Sequence, residues 1–228
     1  MMANKNEITS GKLESKFNAF LGANKKILII VAVAIVVAVL GLWIGLSVAD
    51  NRADAAQLAI DNLQATYSEW NFLEDKTTAE ALSTKESLVG ELSAIASKSG
   101  KSYPILKASY LLGLVKYEEG AYAEALDHFV AVAEKGSETY LGSLGLYNAG
   151  VASEQLGNPD KAMEYYQSVY DTYGADAAEA PKALFSIARL HETNNNIDLA
   201  KAVLQQLADE FTASEYAKLA KSRLVVLQ

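Results

Sequence analysis

From Ile27 to Ala49 the chain runs without a single charged side chain. At about 1.5 Å of rise per residue such a run makes a helix roughly 35 Å long, and a bilayer's hydrocarbon core is about 30 Å thick. A cleavable secretory signal carries an apolar stretch of only about 7–15 residues followed by a small-residue cleavage site. This run is far longer, and Val48-Ala49-Asp50 imitates a cleavage site poorly, so the reading is one retained transmembrane helix over 27–49. Within it Ala34, Ala38, Gly41 and Gly45 fall on one face. Small residues so spaced let a second helix approach closely, which makes homo-oligomers through the membrane helix an expectation; the plainer account is that Gly and Ala are common in such helices.

The flanks orient the run. Lys5, Lys12, Lys16, Lys25 and Lys26 precede it, whereas Arg52 stands among Asp50, Asp54, Asp61 and Glu69 after it. The excess of basic residues on the cytoplasmic side puts the N-terminal tail in the cytoplasm and everything from Asp50 onward outside. The expected location is the inner (cytoplasmic) membrane, with a periplasmic or equivalent extracytoplasmic C-terminal domain. Trp43 lies near the outer end, where an indole favours the headgroup region.

Charge and cysteine narrow the chemistry. The chain carries −8; residues 1–50 hold five basic and three acidic groups, so residues 51–228 carry −10. An acidic domain repels phosphate backbones and anionic headgroups, which argues against nucleic acid and lipid-surface partners and favours polypeptide ones. With no cysteine, disulfides, thiol catalysis and thiolate metal sites are excluded.

Beyond the apolar run the chain reads as all-α. Ile60, Leu63, Tyr67 and Trp70 step by three and four, which predicts that the first helix continues outward to about Leu73. Thr77-Thr78-Ala79-Glu80 is a capping-box pattern opening a helix whose apolar face includes Leu82, Val89, Leu92 and Ile95, closed by Ser97–Pro104. The implied plan is a short cytoplasmic tail (1–26), the membrane helix (27–49), membrane-proximal helices (50–100), a repeat region (101–211) and a capping helix (212–228). The cap is predicted from a second capping-box pattern, Thr212-Ala213-Ser214-Glu215, and from the basic Lys218, Lys221 and Arg223.

The repeat region is self-similar at a nearly constant spacing. Gly113, Gly120, Ala125 and Phe129 recur, all at the same interval, as Gly150, Gly157, Ala162 and Tyr166. A weaker third copy, Ala188, Asn195, Ala200 and Leu204, follows at a slightly longer interval, with Asn195 replacing the turn glycine. The pattern describes antiparallel helix pairs: a small residue allows close approach, Gly or Asn turns the chain, and Ala then an aromatic or Leu pack at the crossing.

These marks over roughly Ile105–Phe211 resemble the tetratricopeptide repeat. The resemblance implies an α-solenoid of helix pairs, with departures. The period exceeds the usual one, Ser109, Leu146 and Leu184 replace the early aromatic, and the closing proline is mostly missing, with extra residues between Tyr173 and Pro181. A single membrane anchor followed by such helices resembles the YfgM-like family of inner-membrane proteins. That resemblance implies an auxiliary role at the Sec translocon and contact with periplasmic chaperones or their clients.

In such repeats the first helix of each pair lines the concave face. Here that face would present Lys107, Tyr110, Leu114 and Tyr117; then Leu144, Tyr147, Asn148, Val151 and Glu154; then Lys182, Phe185, Arg189 and Glu192. Aromatics interleaved with charges suit a partner peptide or helix, although several of these residues could equally pack between repeats. The asparagine of the family's carboxylate clamp is replaced by Leu114, Val151 and Arg189, so that clamp is not expected. Catalytic signals are poor. His128 and His191 lie in different repeats, Glu124 and His128 make only half a metal site, and Gly142-Ser143-Leu144-Gly145 follows no strand and is better read as helix packing. The expectation is an adaptor without enzymatic activity, cofactor or metal, assisting protein export or periplasmic folding; the alternative is a scaffold subunit of a cell-envelope assembly such as a motor, divisome or secretion complex.

Overall fold

The computed structural model describes the backbone of residues 4–227 and the side chains of residues 15–227 apart from 28, 29, 32 and 44–52. Among these residues there are nine α-helices and no strand: α1 (Asn4–Asn71), α2 (Ala79–Ala96), α3 (Tyr103–Glu118), α4 (Tyr122–Lys135), α5 (Tyr140–Gln155), α6 (Pro159–Tyr173), α7 (Ala180–Thr193), α8 (Ile197–Glu210) and α9 (Glu215–Val226). One 3₁₀ turn, Gly174–Asp176, takes up part of the long connection expected before Pro181. The chain divides into two compact units, Met1–Ala55 and Ala56–Gln228.

The first unit is the N-terminal part of α1. Every described large apolar side chain from Ile27 to Trp43 is exposed, Val37 by 63% and Leu42 by 68%. Among the described residues no helix is long and apolar enough to cross a membrane. Within 27–49 the longest uninterrupted stretch of described side chains is 33–43, and Gly45 lies outside it. A Cβ added at Gly41 would meet nothing within 4 Å, so the small-residue face has no partner among the described residues.

In the second unit, Ile60, Leu63 and Trp70 from the end of α1 are buried with Leu88 and Leu92 of α2 and Leu111 and Val115 of α3. The predicted stripe on α1 is therefore its packing face, and the helix ends at Asn71, slightly before the expected limit at Leu73. The stripe on α2 differs by one position. Ala81, Leu88 and Leu92 are buried, whereas Leu82 is exposed.

Neither predicted capping box forms. Thr78, not Thr77, caps α2, its hydroxyl accepting from the Ala81 N–H at 3.2 Å, while Thr77 donates to Asp75. Ser214, not Thr212, caps α9 by accepting from Tyr216 N–H. In both cases a hydroxyl nearer the first helical residue reaches the free amides, so the helix starts later than the motif implied.

The three predicted helix turns share one geometry. Gly120, Gly157 and Asn195 have φ of 75°, 74° and 60°. After each, the next N–H bonds back to a carbonyl in the preceding turn: Ala121 to Lys116, Asn158 to Ser153 and Asn196 to His191, at 2.8–3.0 Å. This left-handed closure satisfies carbonyls that the helix end leaves free, and it explains why Gly and Asn occupy the position.

The crossings are equally regular. A Cβ on Gly113 would stand 2.6 Å from the Phe129 ring, and one on Gly150 would stand 2.5 Å from the Tyr166 ring. Both rings are buried, as are Ala125 and Ala162 one turn earlier. The third pair exchanges sizes, with Ala188 on the first helix and Leu204 on the second, and both lie in one buried cluster. Gly145 performs the same task between successive pairs, where a Cβ would come within 2.8 Å of the α4 backbone. The stack ends at α9. Its Lys218, Lys221 and Ser222 are exposed at the positions that match Leu184, Ile187 and Ala188 of α7, all of them buried.

Gly113→Ala sets about 1 kcal/mol of helix propensity against overpacking of about 1–3 kcal/mol. Urea unfolding of the full chain should show a net loss of roughly 1 kcal/mol in the natural background. In a Phe129→Leu background the ring is gone, and the same alanine should stabilise. An alanine effect of one sign in both backgrounds would remove the ring from the explanation.

Candidate functional site

The first helices of successive pairs, α3, α5 and α7, are joined with α9 by a series of polar and aromatic bridges. The Asn148 amide donates to the Tyr110 hydroxyl at 3.2 Å and to Leu144 O at 2.9 Å. The Tyr103 and Tyr140 hydroxyls are 3.1 Å apart, joining α3 to α5. Between α5 and α7 the Arg189 guanidinium donates to both oxygens of Glu154 at 2.5 and 2.7 Å, and Glu154 also accepts from Tyr166 at 2.7 Å. Between α7 and α9, Arg223 donates through Nε and Nη2 to Glu192 at 2.5–3.1 Å.

The last two bridges are one device used twice. Glu192 takes the place of Glu154 one pair further along, and Arg223 takes the place of Arg189. The corresponding positions of the first pair hold Tyr117 and Val151, so that bridge is uncharged on both sides. Sequence reasoning placed Glu154, Arg189 and Glu192 on this surface without pairing them and read Arg223 only as part of a cap. The recurrence of Glu and Arg at matching repeat positions was the available signal.

The predicted groove residues are thus partly structural. Tyr110 is 8% exposed and packs on Phe129 with ring centroids 5.8 Å apart; burial pushes its hydroxyl well above the usual tyrosine range. Lys107 is also 8% exposed, with Nζ 5.5 Å from the Tyr110 ring centre. Burial lowers its pKa, and the Asp61 carboxylate opposes that shift. Both residues are corrected from groove lining to packing, because Tyr110 is buried where α3 meets Asn148 of α5 and Lys107 is buried over the Tyr110 ring. Tyr147 is half-buried against Tyr166 at 5.5 Å, Phe185 against Tyr216 at 5.8 Å, and Tyr117 against Tyr122 at 5.2 Å. Leu114, Leu144 and Val151 pack at the edges of the buried clusters. What this surface offers to solvent is the flank of each bridge: Arg189 and Arg223, each with 47% of its side chain exposed, and Tyr140, 57% exposed.

Two cavities open on the same set of helices. One, about 330 Å³, is lined by Phe185, Arg189, Glu192, Leu204 and Arg223. The other, about 350 Å³, lies where α5 begins and the connection from α6 enters α7; Tyr140, Ser143, Tyr173 and Glu179 are among its walls. Ser143 and Glu179 are contributors that sequence reasoning did not single out as a site. A third and larger cleft, about 570 Å³, runs between α1 and α2 and is lined mostly by polar side chains, among them Thr66, Ser83, Thr84 and Ser87.

Glu124, the sequence-level partner of His128 in half a metal site, pairs instead with Lys116 at 3.0 Å. His128 is half-buried, and burial together with Lys116 lowers its pKa. Among the described residues no three His, Asp or Glu side chains gather closely enough to hold a metal ion. Gly142 and Gly145 abut backbone of the preceding pair, as the helix-packing reading of that glycine motif requires.

Comparison with known proteins fits this geometry. The tetratricopeptide-repeat family model matches residues 145–174 and 182–214, which include the third copy and leave the first pair, α3 and α4, outside the match. A TPR repeat-containing protein of Treponema pallidum (strain Nichols) is 26% identical over 106 residues, covering 46% of this chain and 44% of the relative. The photosystem I assembly protein Ycf3 of Cyanophora paradoxa is 28% identical over 108 residues, covering 44% of this chain and 60% of the relative. The chain therefore spans about half the length of the curated relatives it matches. A solved Podosopora anserina chain of nearly identical TPR-like repeats, assigned to the kinesin light chains, superposes with a TM-score of 0.57 at 13% identity, over 74% of this chain and 86% of that one. At that identity the likeness shows the fold alone. The chain carries tetratricopeptide repeats in an all-helical solenoid.

Glu154→Ala strands a guanidinium and a phenol together, so urea unfolding should show a loss of about 1–3 kcal/mol. Arg189→Ala removes only the more exposed partner and should cost less than about 1 kcal/mol. Equal costs would mean that the Tyr166 hydroxyl draws nothing from Glu154.

Proposed function

We propose that this protein is a membrane-anchored, extracytoplasmic adaptor, without catalytic activity of its own, that captures polypeptide partners on the surface formed by α3, α5, α7 and α9. The observation that carries the proposal is the chain of bridges along these helices. It holds Arg189 and Arg223 at matching positions of successive pairs, with Tyr140 exposed beside them, which suits recognition of an extended segment or a helix. Tetratricopeptide repeats support protein–protein interaction in general, and the similarity to a protein named for photosystem I assembly supports a role in handling subunits or clients.

The anchor rests on the charge-free run at 27–49 and on the exposure of its described apolar side chains. Solvated apolar surface costs about 25 cal/mol per Å², so a face of this kind calls for lipid or protein around it. An anchored adaptor also raises the local concentration of its partner near a membrane machine. The closer reading is a YfgM-like helper of protein export or periplasmic folding near the translocon. A scaffold in an envelope complex is the second reading, favoured by the assembly role in the name of the Cyanophora relative. Ala34, Ala38, Gly41 and Gly45 supply the face through which anchors would pair in either case.

Topology is tested with Ser10→Cys and Ala213→Cys; Ala213 replaces the neighbouring Ser214 because that serine caps α9. In intact cells a membrane-impermeant maleimide should label Ala213→Cys and spare Ser10→Cys; the reverse pattern would overturn the orientation. Capture is tested with a photo-crosslinking side chain at exposed Tyr140, compared with one at exposed Leu199 on α8. Discrete protein adducts are expected from Tyr140 alone. Adducts from Leu199 alone would move the binding surface to the second helices.

A further inference from the structure

The cavity of about 350 Å³ at the start of α5 and α7 contains a carboxylate that the fold does not account for. Glu179 is only 8% exposed, so it is more than nine-tenths buried. It stands immediately before α7 at the capping position, yet its side chain makes no capping bond to that helix. It turns toward α5, where Ser143 Oγ donates to Oε2 at 2.8 Å, a hydroxyl it shares with the Tyr140 carbonyl at 3.0 Å. Among the described residues no donor reaches Oε1, and no Lys or Arg makes an ion pair with this carboxylate. Oε1 is not among the sealed, partnerless side-chain atoms, which are Trp70 Nε1 and His191 Nδ1, so it keeps some exposure, and Glu179 lines the cavity.

The charged groups of the lining all have one sign. Glu138 and Asp176 stand on the cavity wall with Glu179, and no basic residue is among the lining groups. Tyr140 and Tyr173 also line the cavity, and aromatic rings attract cations through their quadrupole. A buried carboxylate is stable when a cation or several hydrogen bonds accompany it, and Glu179 has a single hydroxyl. The volume lies within the roughly 300–1,000 Å³ common for small-ligand sites, ample for a guanidinium or ammonium head. The net charge of −10 on residues 51–228, from the −8 of the whole chain and the +2 of residues 1–50, draws basic segments toward the same surface.

We propose that this cavity is a receptor for a basic side chain, arginine or lysine, of a partner polypeptide, with Glu179 as the anchoring carboxylate, Ser143 holding its orientation, and Tyr140 and Tyr173 flanking the cation. The proposal rests on the adaptor reading above and gives the partner a chemistry: an extended or helical segment whose basic residue enters between consecutive pairs while neighbouring residues cross the bridges on α5 and α7.

The test uses the full chain in mild detergent, labelled at alanine methyls, with Ala177 and Ala178 in the cavity lining as reporters. Titration with N-acetyl-arginine methylamide should shift both methyls saturably, and the neutral isostere N-acetyl-citrulline methylamide should not. Glu179→Gln keeps an acceptor for Ser143 and should weaken the arginine probe at least tenfold; Asp176→Asn, exposed on the rim, should weaken it two- to threefold. Equal binding of both probes, an unchanged affinity in Glu179→Gln, or no saturable shift with the arginine probe would each overturn the assignment. Because the probe is a small molecule, such a failure alongside intact Tyr140 crosslinks would sink the cation site and leave the adaptor reading standing.

Discussion

Everything in the helical unit depends on how closely two helices of a pair approach at one point. In the first two pairs a glycine on the first helix leaves room for a buried ring on the second, Phe129 on Gly113 and Tyr166 on Gly150. In the third, Ala188 and Leu204 fill the same space with the sizes rebalanced. Close-packed interiors tolerate volume-conserving exchanges and punish added methylenes. What the three copies hold in common is therefore combined volume, not residue identity. That approach sets the separation of each pair, and the left-handed closures at Gly120, Gly157 and Asn195 set its return angle.

Pairs built this way expose the flanks of their first helices, and the bridges between those helices join stability to recognition. Glu154 ties α5 to α7 through Arg189 while also accepting from the Tyr166 hydroxyl that packs on Gly150. The residue that orients a surface arginine is thus held by the ring that defines the helix crossing. A surface supported in this manner is preorganised, so a partner loses less binding free energy to ordering side chains. It also explains why part of the groove expected from sequence turned inward: the positions nearest the helix contact serve packing, and those a turn away face solvent.

The same division of labour appears at the ends of the unit. At α9 the positions that meet a second helix in earlier pairs become Lys218, Lys221 and Ser222, which closes the stack with solvated polar groups. At the other end, Ile60, Leu63 and Trp70 of α1 supply the apolar surface that α2 and α3 need. A repeat array has to cover both terminal faces, and this chain covers one with polar side chains and the other with the last turns of its longest helix.

The linear pattern by itself determined the helical class, the three helix pairs, their turns and the crossing residues, because each follows from a local requirement that only Gly, Ala, Asn or a ring meets. It also marked the charge-free run and the asymmetry of basic residues around it. What the chain order could not encode was which polar side chains meet across pairs, since partners so far apart along the chain come together only after stacking. So Tyr110 and Lys107 read as groove lining until tertiary packing buried them, the cap hydroxyls moved to Thr78 and Ser214, and Ser143 and Glu179 had no motif to announce them. Periodicity is a property of neighbours along the chain, whereas a site is a property of neighbours in space.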